Sequence, residues 1–261
     1  PVQYGIFIRD VLHGNFGKSY IYGKPAMDLI FERMPATLEL VAVAACLVLC
    51  IAIPLGVYAG AYPKRASSKL IMSGSILGIS LPSFWVGMMM IYIFAVVLRL
   101  LPASGRGNTV MVGNVALSIF APGGIRYVIL PAITLALTNV ATMLRLTRSG
   151  ILENMRQDYI KFARAKGVPA KSILFGHALK NALIPVVTIF GMDLGNMIAF
   201  TTITETIFAW PGMGKLLIDA INKSDRPIIV AYLMAAACMF VVLNFIVDIL
   251  YTLIDPRIEL R

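Results

Sequence analysis

Apolar positions in this chain cluster in long runs instead of alternating every two to four residues. Residues 40–62 and 70–98 carry no charge, and neither do residues 127–144. Residues 181–204 are interrupted only by Asp193, and residues 227–254 only by Asp248. A transmembrane helix needs about 20 mostly apolar residues, so the pattern predicts five spans. Pro54, Pro82, Pro131 and Pro185 fall inside them. Each removes a backbone hydrogen bond and is expected to kink its helix, which a membrane bundle tolerates. The second run, containing SGSILGISLPSFWVG, is rich in the small residues that let helices approach closely.

The stretch between the third and fourth runs has a different period. Ile151, Leu152, Met155, Tyr159, Phe162 and Ala163 follow one another at helical steps and draw one apolar stripe. Arg148, Arg156, Lys161, Arg164 and Lys166 fall largely outside it. Gly167 suits a left-handed helix end, and Pro169 disfavours helical geometry at Val168 while suiting the first turn of a new helix. A second helix is expected through Lys171, Ile173, Leu174, Ala178 and Leu179 into the fourth span. The prediction is an elbow of two short helices at a fixed corner. An amphipathic helix resting on anionic lipid fits the pattern, and so does a lever on which another protein pushes. A defined bend favours the lever.

Composition agrees that lipid is the solvent: 59% of the 261 residues are hydrophobic and 14% charged, against about 25% charged in soluble domains. The net charge of +10 is spread over loops and not gathered on one domain, which argues against nucleic acid as a partner. Residues 63–69, 145–181 and 255–261 hold 13 Lys and Arg in 51 positions, whereas residues 1–36, 99–127 and 205–228 hold 10 in 89. The positive-inside rule places the first set in the cytoplasm. The N-terminal segment 1–36 then lies outside the cell and the tail 255–261 inside, with the spans and their cytoplasmic loop 145–181 forming one domain over 37–254. An N-terminal segment on the outer side implies a further span upstream of Pro1.

Candidate chemistry is sparse. HGNFGKS at 13–19 ends like a phosphate-binding loop, but Leu12 stands where its first glycine belongs. GMGKLL at 212–217 lacks the closing Ser or Thr. Cys46, Cys50 and Cys238 sit in apolar runs and suggest neither metal nor disulfide, and His13 and His177 are too few for a ligand cluster. No catalytic constellation, metal site or cofactor is expected. A carboxylate within a span is costly and should face the bundle interior or water. Asp193, with Asn196, Glu205 and Asn139, is therefore a candidate polar lining, or a set of interhelical packing bonds. Asp248 with Asn244 suits packing or capping, and Phe208 and Trp210 suit anchoring at headgroup level. A stand-alone ion-coupled carrier using Asp193 is the alternative reading, although no inverted repeat supports it.

YIKFARAKG followed by HALKNALIPVV resembles the cytoplasmic loop of ABC-importer permeases in the dipeptide, oligopeptide and nickel branch. RMPATLEL at 33–40, ISLPSFWVG at 79–87, RLTRSGILE at 145–153, ETIFAWPGMGKLL at 205–217 and NFIVDILYTLIDPR at 244–257 extend the similarity along nearly the whole chain. The resemblance implies an all-α, polytopic, MetI-like permease fold with six spans, the first of which would precede Pro1. It also implies an inner-membrane subunit of a peptide importer that binds no ATP. Its partners would be a second, similar permease, two ATP-binding-cassette ATPases and an extracytoplasmic substrate-binding protein. The elbow would be the coupling helix seated in an ATPase cleft, carried by Tyr159, Lys161, Phe162, Ala163, Arg164, Ala165, Lys166, Gly167 and Lys171. The family's usual Glu-Ala-Ala triplet is Lys161-Phe162-Ala163 here, so docking would rest on shape and on Arg164 and Lys166. Phe208, Trp210, Pro211 and Gly212 would belong to a loop that dips back and helps close the pathway.

Overall fold

A computed structural model of the chain describes residues 5, 9, 11, 13–113 and 115–254, with the side chains of residues 248 and 250–254 outside the described set. Asp248, the tail 255–261 and most of the first twelve residues therefore fall outside it. Among the described residues the fold is helical: α1 (Ala26–Ala61), α2 (Ala66–Ser80), α3 (Ser83–Met90, continued by a π-helical segment Ile91–Val97), α4 (Ile125–Asn154), α5 (Asp158–Ala165), the short α6 (Ala170–Ser172) followed by a π-helical segment Ile173–Ala178, α7 (Leu179–Ile207), α8 (Met213–Asn222) and α9 (Arg226–Ile254). The all-α expectation holds, and among the described residues a short antiparallel pair, β1 (Val110–Val112) and β2 (Val115–Leu117), is added to the helices.

Among the described residues four helices are long and apolar enough to cross a membrane: Ala26–Ala61, Ile125–Asn154, Ala170–Ile207 and Arg226–Val247. The second expected span is broken. α2 and the helix through 83–97 meet at 105°, so five spans result if the bent pair counts as one. The cause is local. Leu81 precedes proline and is held extended at φ −89°, ψ 131°, and Pro82 then opens the next helix, its carbonyl accepting from Val86 N–H at 3.1 Å. Pro54, Pro131 and Pro185 lie within continuous helix, because a proline inside an apolar helix loses one bond without forcing a stop.

The chain forms two compact units. One comprises residues 1–42, 87–132 and 196–242. Its core sets Leu29 and Ile30 of α1 against Met213 and Leu216 of α8 and against Ile228 and Tyr232 of α9. Ser19 Oγ donates to the buried Asp225 carboxylate at 2.5 Å, tying the segment before α1 to the start of α9.

The other unit comprises residues 43–86, 133–195 and 243–261, and small residues set its helix spacing. A Cβ on Gly56 would lie 2.6 Å from Thr147 Cβ, and one on Gly60 would lie 2.7 Å from Ile151 Cβ. α1 and α4 are thus in backbone contact. Gly150 of α4 meets Ala182 of α7, and Gly191 of α7 admits Val247 of α9. Close backbone approach is the usual source of attraction between helices in lipid, where the hydrophobic effect does not act between them.

Gly60→Val should therefore overpack the α1–α4 contact and lower stability by about 1–3 kcal/mol, read as an earlier thermal transition in detergent. Gly74→Ala, at a position where an added Cβ meets nothing within 4 Å, should leave the transition in place.

Candidate functional site

The elbow between α4 and α7 is three pieces, not two. α4 ends at Asn154, a turn follows at 155–157, and α5 restarts at Asp158 with Gln157 in extended geometry at its N-cap. The restart changes which residues face inward. Ile160 lies nine positions after Ile151, about half a turn out of phase on a continuous helix of 3.6 residues per turn. The break resets that phase, and Ile151, Ile160 and Ile173 are buried together with Ala178, Ala182 and Val57 of α1. This corrects the single stripe expected over residues 151–163. Tyr159 and Phe162 belong to the outward face, with Phe162 62% exposed.

The corner itself follows the sequence. Gly167 has φ +77°. Val168 N–H donates to Ala163 O at 3.1 Å and Gly167 N–H to Arg164 O at 3.0 Å, the paired bonds of a Schellman motif. Val168 and Ala163 both pack on the buried cluster, so the bend is closed by hydrogen bonds outside and apolar contact inside. Asp158 in the first turn and Arg164 in the last favour the helix dipole. Lys161 Nζ donates to Asp158 Oδ1 at 2.8 Å, and its hydrogen bond and charge hold the fully exposed Asp158 carboxyl below the usual range. Lys166 Nζ stands 4.6 Å from the centre of the Phe162 ring. Arg164, Ala165, Lys166 and Lys171 are exposed and Ala163 is half-buried. The outward surface thus presents the Phe162 ring, with Tyr159 beside it and cations around them.

The segment after α7 is held by a second set of bonds. The Glu205 carboxylate is fully buried. It accepts from Thr37 Oγ1 at 2.6 Å and from Lys215 N–H at 2.9 Å, while Met213 N–H donates to Thr37 Oγ1 at 2.9 Å. Glu205 therefore caps the start of α8, where a carboxylate also complements the helix dipole. Gly212 is required because any Cβ there would strike that carboxylate. Trp210 is 0% and Phe208 1% exposed, so the two rings are core residues and not headgroup anchors. Trp210 Nε1 donates to Ala36 O at 2.9 Å and Gly105 N–H to Phe208 O at 2.8 Å. Arg106 lies over the Trp210 ring and donates through Nε to Glu39 Oε2 at 2.9 Å. Glu39 Oε1 accepts from Ser118 N–H and Ile119 N–H, both at 2.6 Å.

Asn139 is half-buried and its amide donates at 3.4 Å to Leu135 O, within its own helix. Asp193 is half-buried, Asn196 is exposed and Pro211 is half-buried. Among the described residues no group of three or more His, Cys, Asp or Glu is placed to hold a metal ion.

Residues 52–260 match the family described as binding-protein-dependent transport system inner membrane component. The chain belongs to this family. It is 40% identical over 259 residues, 99% of its own length, to the oligopeptide transport system permease protein AppB of Bacillus subtilis, covering 80% of that protein. It is 35% identical over 272 residues to the dipeptide transport system permease protein DppB of Escherichia coli K12, with 98% of this chain and 80% of that one covered. The fold is also that of a chain in inward-facing structures of the MetNI methionine ABC transporter, with a TM-score of 0.67 at 16% identity over 87% of this chain and 97% of the other. As a family member the chain is a multi-pass inner-membrane permease, the class its spans and its loop sequences anticipated.

Sequence reasoning passed over Glu39, Thr37, Arg106 and Ile160. Glu39 carried a signal, because it is an acid at the threshold of the first uncharged run. Its partners lie 67 and more positions away and leave no local pattern. Glu39→Ala should remove the carboxylate partner of the half-buried Arg106 and leave two backbone N–H groups without their acceptor, at a cost of about 3–5 kcal/mol. The readout is a lower melting temperature with faster proteolysis across residues 99–124, and an unchanged melting temperature would contradict the assignment.

Proposed function

We propose that this chain is a membrane-spanning subunit of an ATP-binding-cassette importer of small peptides, and that its elbow receives the mechanical work of separate ATPase subunits. The observation that carries the reading is the elbow. An exposed Phe162 with flanking Arg164 and Lys166 is held on a fixed corner whose inner side is buried against the ends of α1, α4 and α7. A surface-bound lipid helix needs no such corner, whereas a part that transmits force does. The family match and the peptide-permease relatives support the same role and supply the cargo class.

In this reading the elbow faces the cytoplasm, which the density of basic residues around it supports, and the extracytoplasmic side carries residues 1–36 and the segment that includes Phe208, Trp210, Pro211 and Gly212. The complete importer contains a second homologous permease, two ATPases and an extracytoplasmic binding protein. Closure of the ATPases on ATP displaces the elbow, and the spans attached to it alternate the pathway between the two sides. Asp193, Asn196 and Asn139 serve as polar positions along that pathway. Glu205, with both carboxylate oxygens engaged, fixes the closing segment instead of meeting solute.

Gly167→Pro tests the elbow directly. The native φ of +77° is closed to proline, so the corner must rearrange while the spans remain. Uptake of dipeptides should fall by about ten-fold or more, the factor that 1.4 kcal/mol of lost coupling corresponds to, with normal amounts of protein in the membrane. Unimpaired uptake would overturn the role, and so would wild-type uptake that persists when ATP is depleted, as an ion-coupled carrier would show.

A further inference from the structure

Tyr159 is 40% exposed, yet its hydroxyl is engaged twice. It donates to Asn154 Oδ1 at 2.7 Å and accepts from Asn181 Nδ2 at 3.0 Å. Asn154 in turn donates through Nδ2 to Gly150 O at 2.9 Å, one turn back in α4. That bond commits the amide nitrogen, so the oxygen faces the tyrosine. The result is a directional string from the first turn of α7, through α5, into the last turn of α4. Close by, Gly150 packs against Ala182, the residue after Asn181. α4 and α7 touch each other, and the tyrosine hydroxyl ties α5 to both.

The buried cluster around Ile160 already attaches α5 to the spans and sets its inward face, but apolar contact is non-directional and lets a short helix roll through small angles. Hydrogen bonds weaken steeply when their angle is lost, so the string fixes the roll that the cluster does not. We propose that Asn154, Tyr159 and Asn181 are the linkage that makes the elbow move as one body with α4 and α7, and that Tyr159 is a positioning residue of the transport cycle and not a docking residue. This rests on the coupling role proposed above. It predicts a defect of a particular kind: the ATPases still bind and still hydrolyse, and the displacement they impose is spent in rolling α5.

The test uses the whole importer in liposomes, with this chain, its partner permease, its ATPases and its binding protein. ATP is supplied to the ATPase side and a defined pool of dipeptides is offered outside, each followed by mass spectrometry, with phosphate release measured in parallel. Tyr159→Phe keeps the ring and removes only the hydroxyl. It should raise the ATP consumed per peptide by about five-fold or more, the lower end of ordinary coupling energies, with unchanged co-purification of the ATPases and unchanged melting temperature. Asn181→Ala should do the same, and the double variant should be no worse than the poorer single one, because both remove the same bond. Asn154→Asp, which keeps an oxygen for the tyrosine, should couple better than Asn154→Ala. A wild-type ATP-to-peptide ratio in Tyr159→Phe overturns the proposal, as does a parallel fall in ATPase binding, melting temperature and uptake, which marks a merely structural bond. Wild-type liposomes that hydrolyse ATP without moving peptide overturn the importer reading itself, a result distinct from either.

Discussion

One apolar contact determines what the rest of this molecule can do. Ile160, the buried residue of α5, is packed with Ile151, Ile173, Ala178, Ala182 and Val57. It fixes a short, charged helix to the ends of three spans. Eight residues are too few for a helix to be stable alone in water, so α5 exists because that side chain is inserted, and its outward surface is presented because its inward surface is taken. The break at 155–157, the left-handed Gly167 and the Schellman bonds all serve this single insertion. They give the chain the phase and the bend needed to bring Ile160 and Ile173 to the same place.

The two units reach order by different physical routes. Around the elbow, Gly56, Gly60 and Gly150 let helices approach closely, which in lipid supplies the packing attraction that burial supplies in water. In the other unit, buried acids organise the structure. Glu39 and Glu205 are each costly away from water unless fully satisfied, and each is satisfied, the first by Arg106 and two backbone amides and the second by Thr37 and the start of α8. A carboxylate buried with neutral donors alone, as Glu205 is, organises the backbone around it. Gly212 has no Cβ because of it, and α8 begins where it does because of it.

Much of this was legible in the sequence because the governing signals are local. Uncharged runs mark the spans, Gly167-Val168-Pro169 marks the corner, and the loop sequences mark the family. What was not legible involves either phase or distance. The stripe through Tyr159 and Phe162 is a correct reading of helical spacing that fails because the helix restarts at Asp158, with neither Gly nor Pro at 155–157 to announce it. Pro82 looked like Pro54, Pro131 and Pro185, yet it alone breaks its helix, since Leu81 there is extended while those three remain in helix. Trp210 and Phe208 read as interfacial aromatics. Their burial depends on Ala36 and Gly105, more than a hundred residues earlier in the chain, and no window of sequence contains both.

On the proposed function, the outward face of α5 is the surface against which another protein pushes. Incorporating a photoreactive phenylalanine analogue at Phe162, in membranes that hold the assembled importer, tests it most directly. Illumination should join this chain to an ATPase subunit in high yield. Adducts with lipid alone, or with an extracytoplasmic protein, would contradict the account.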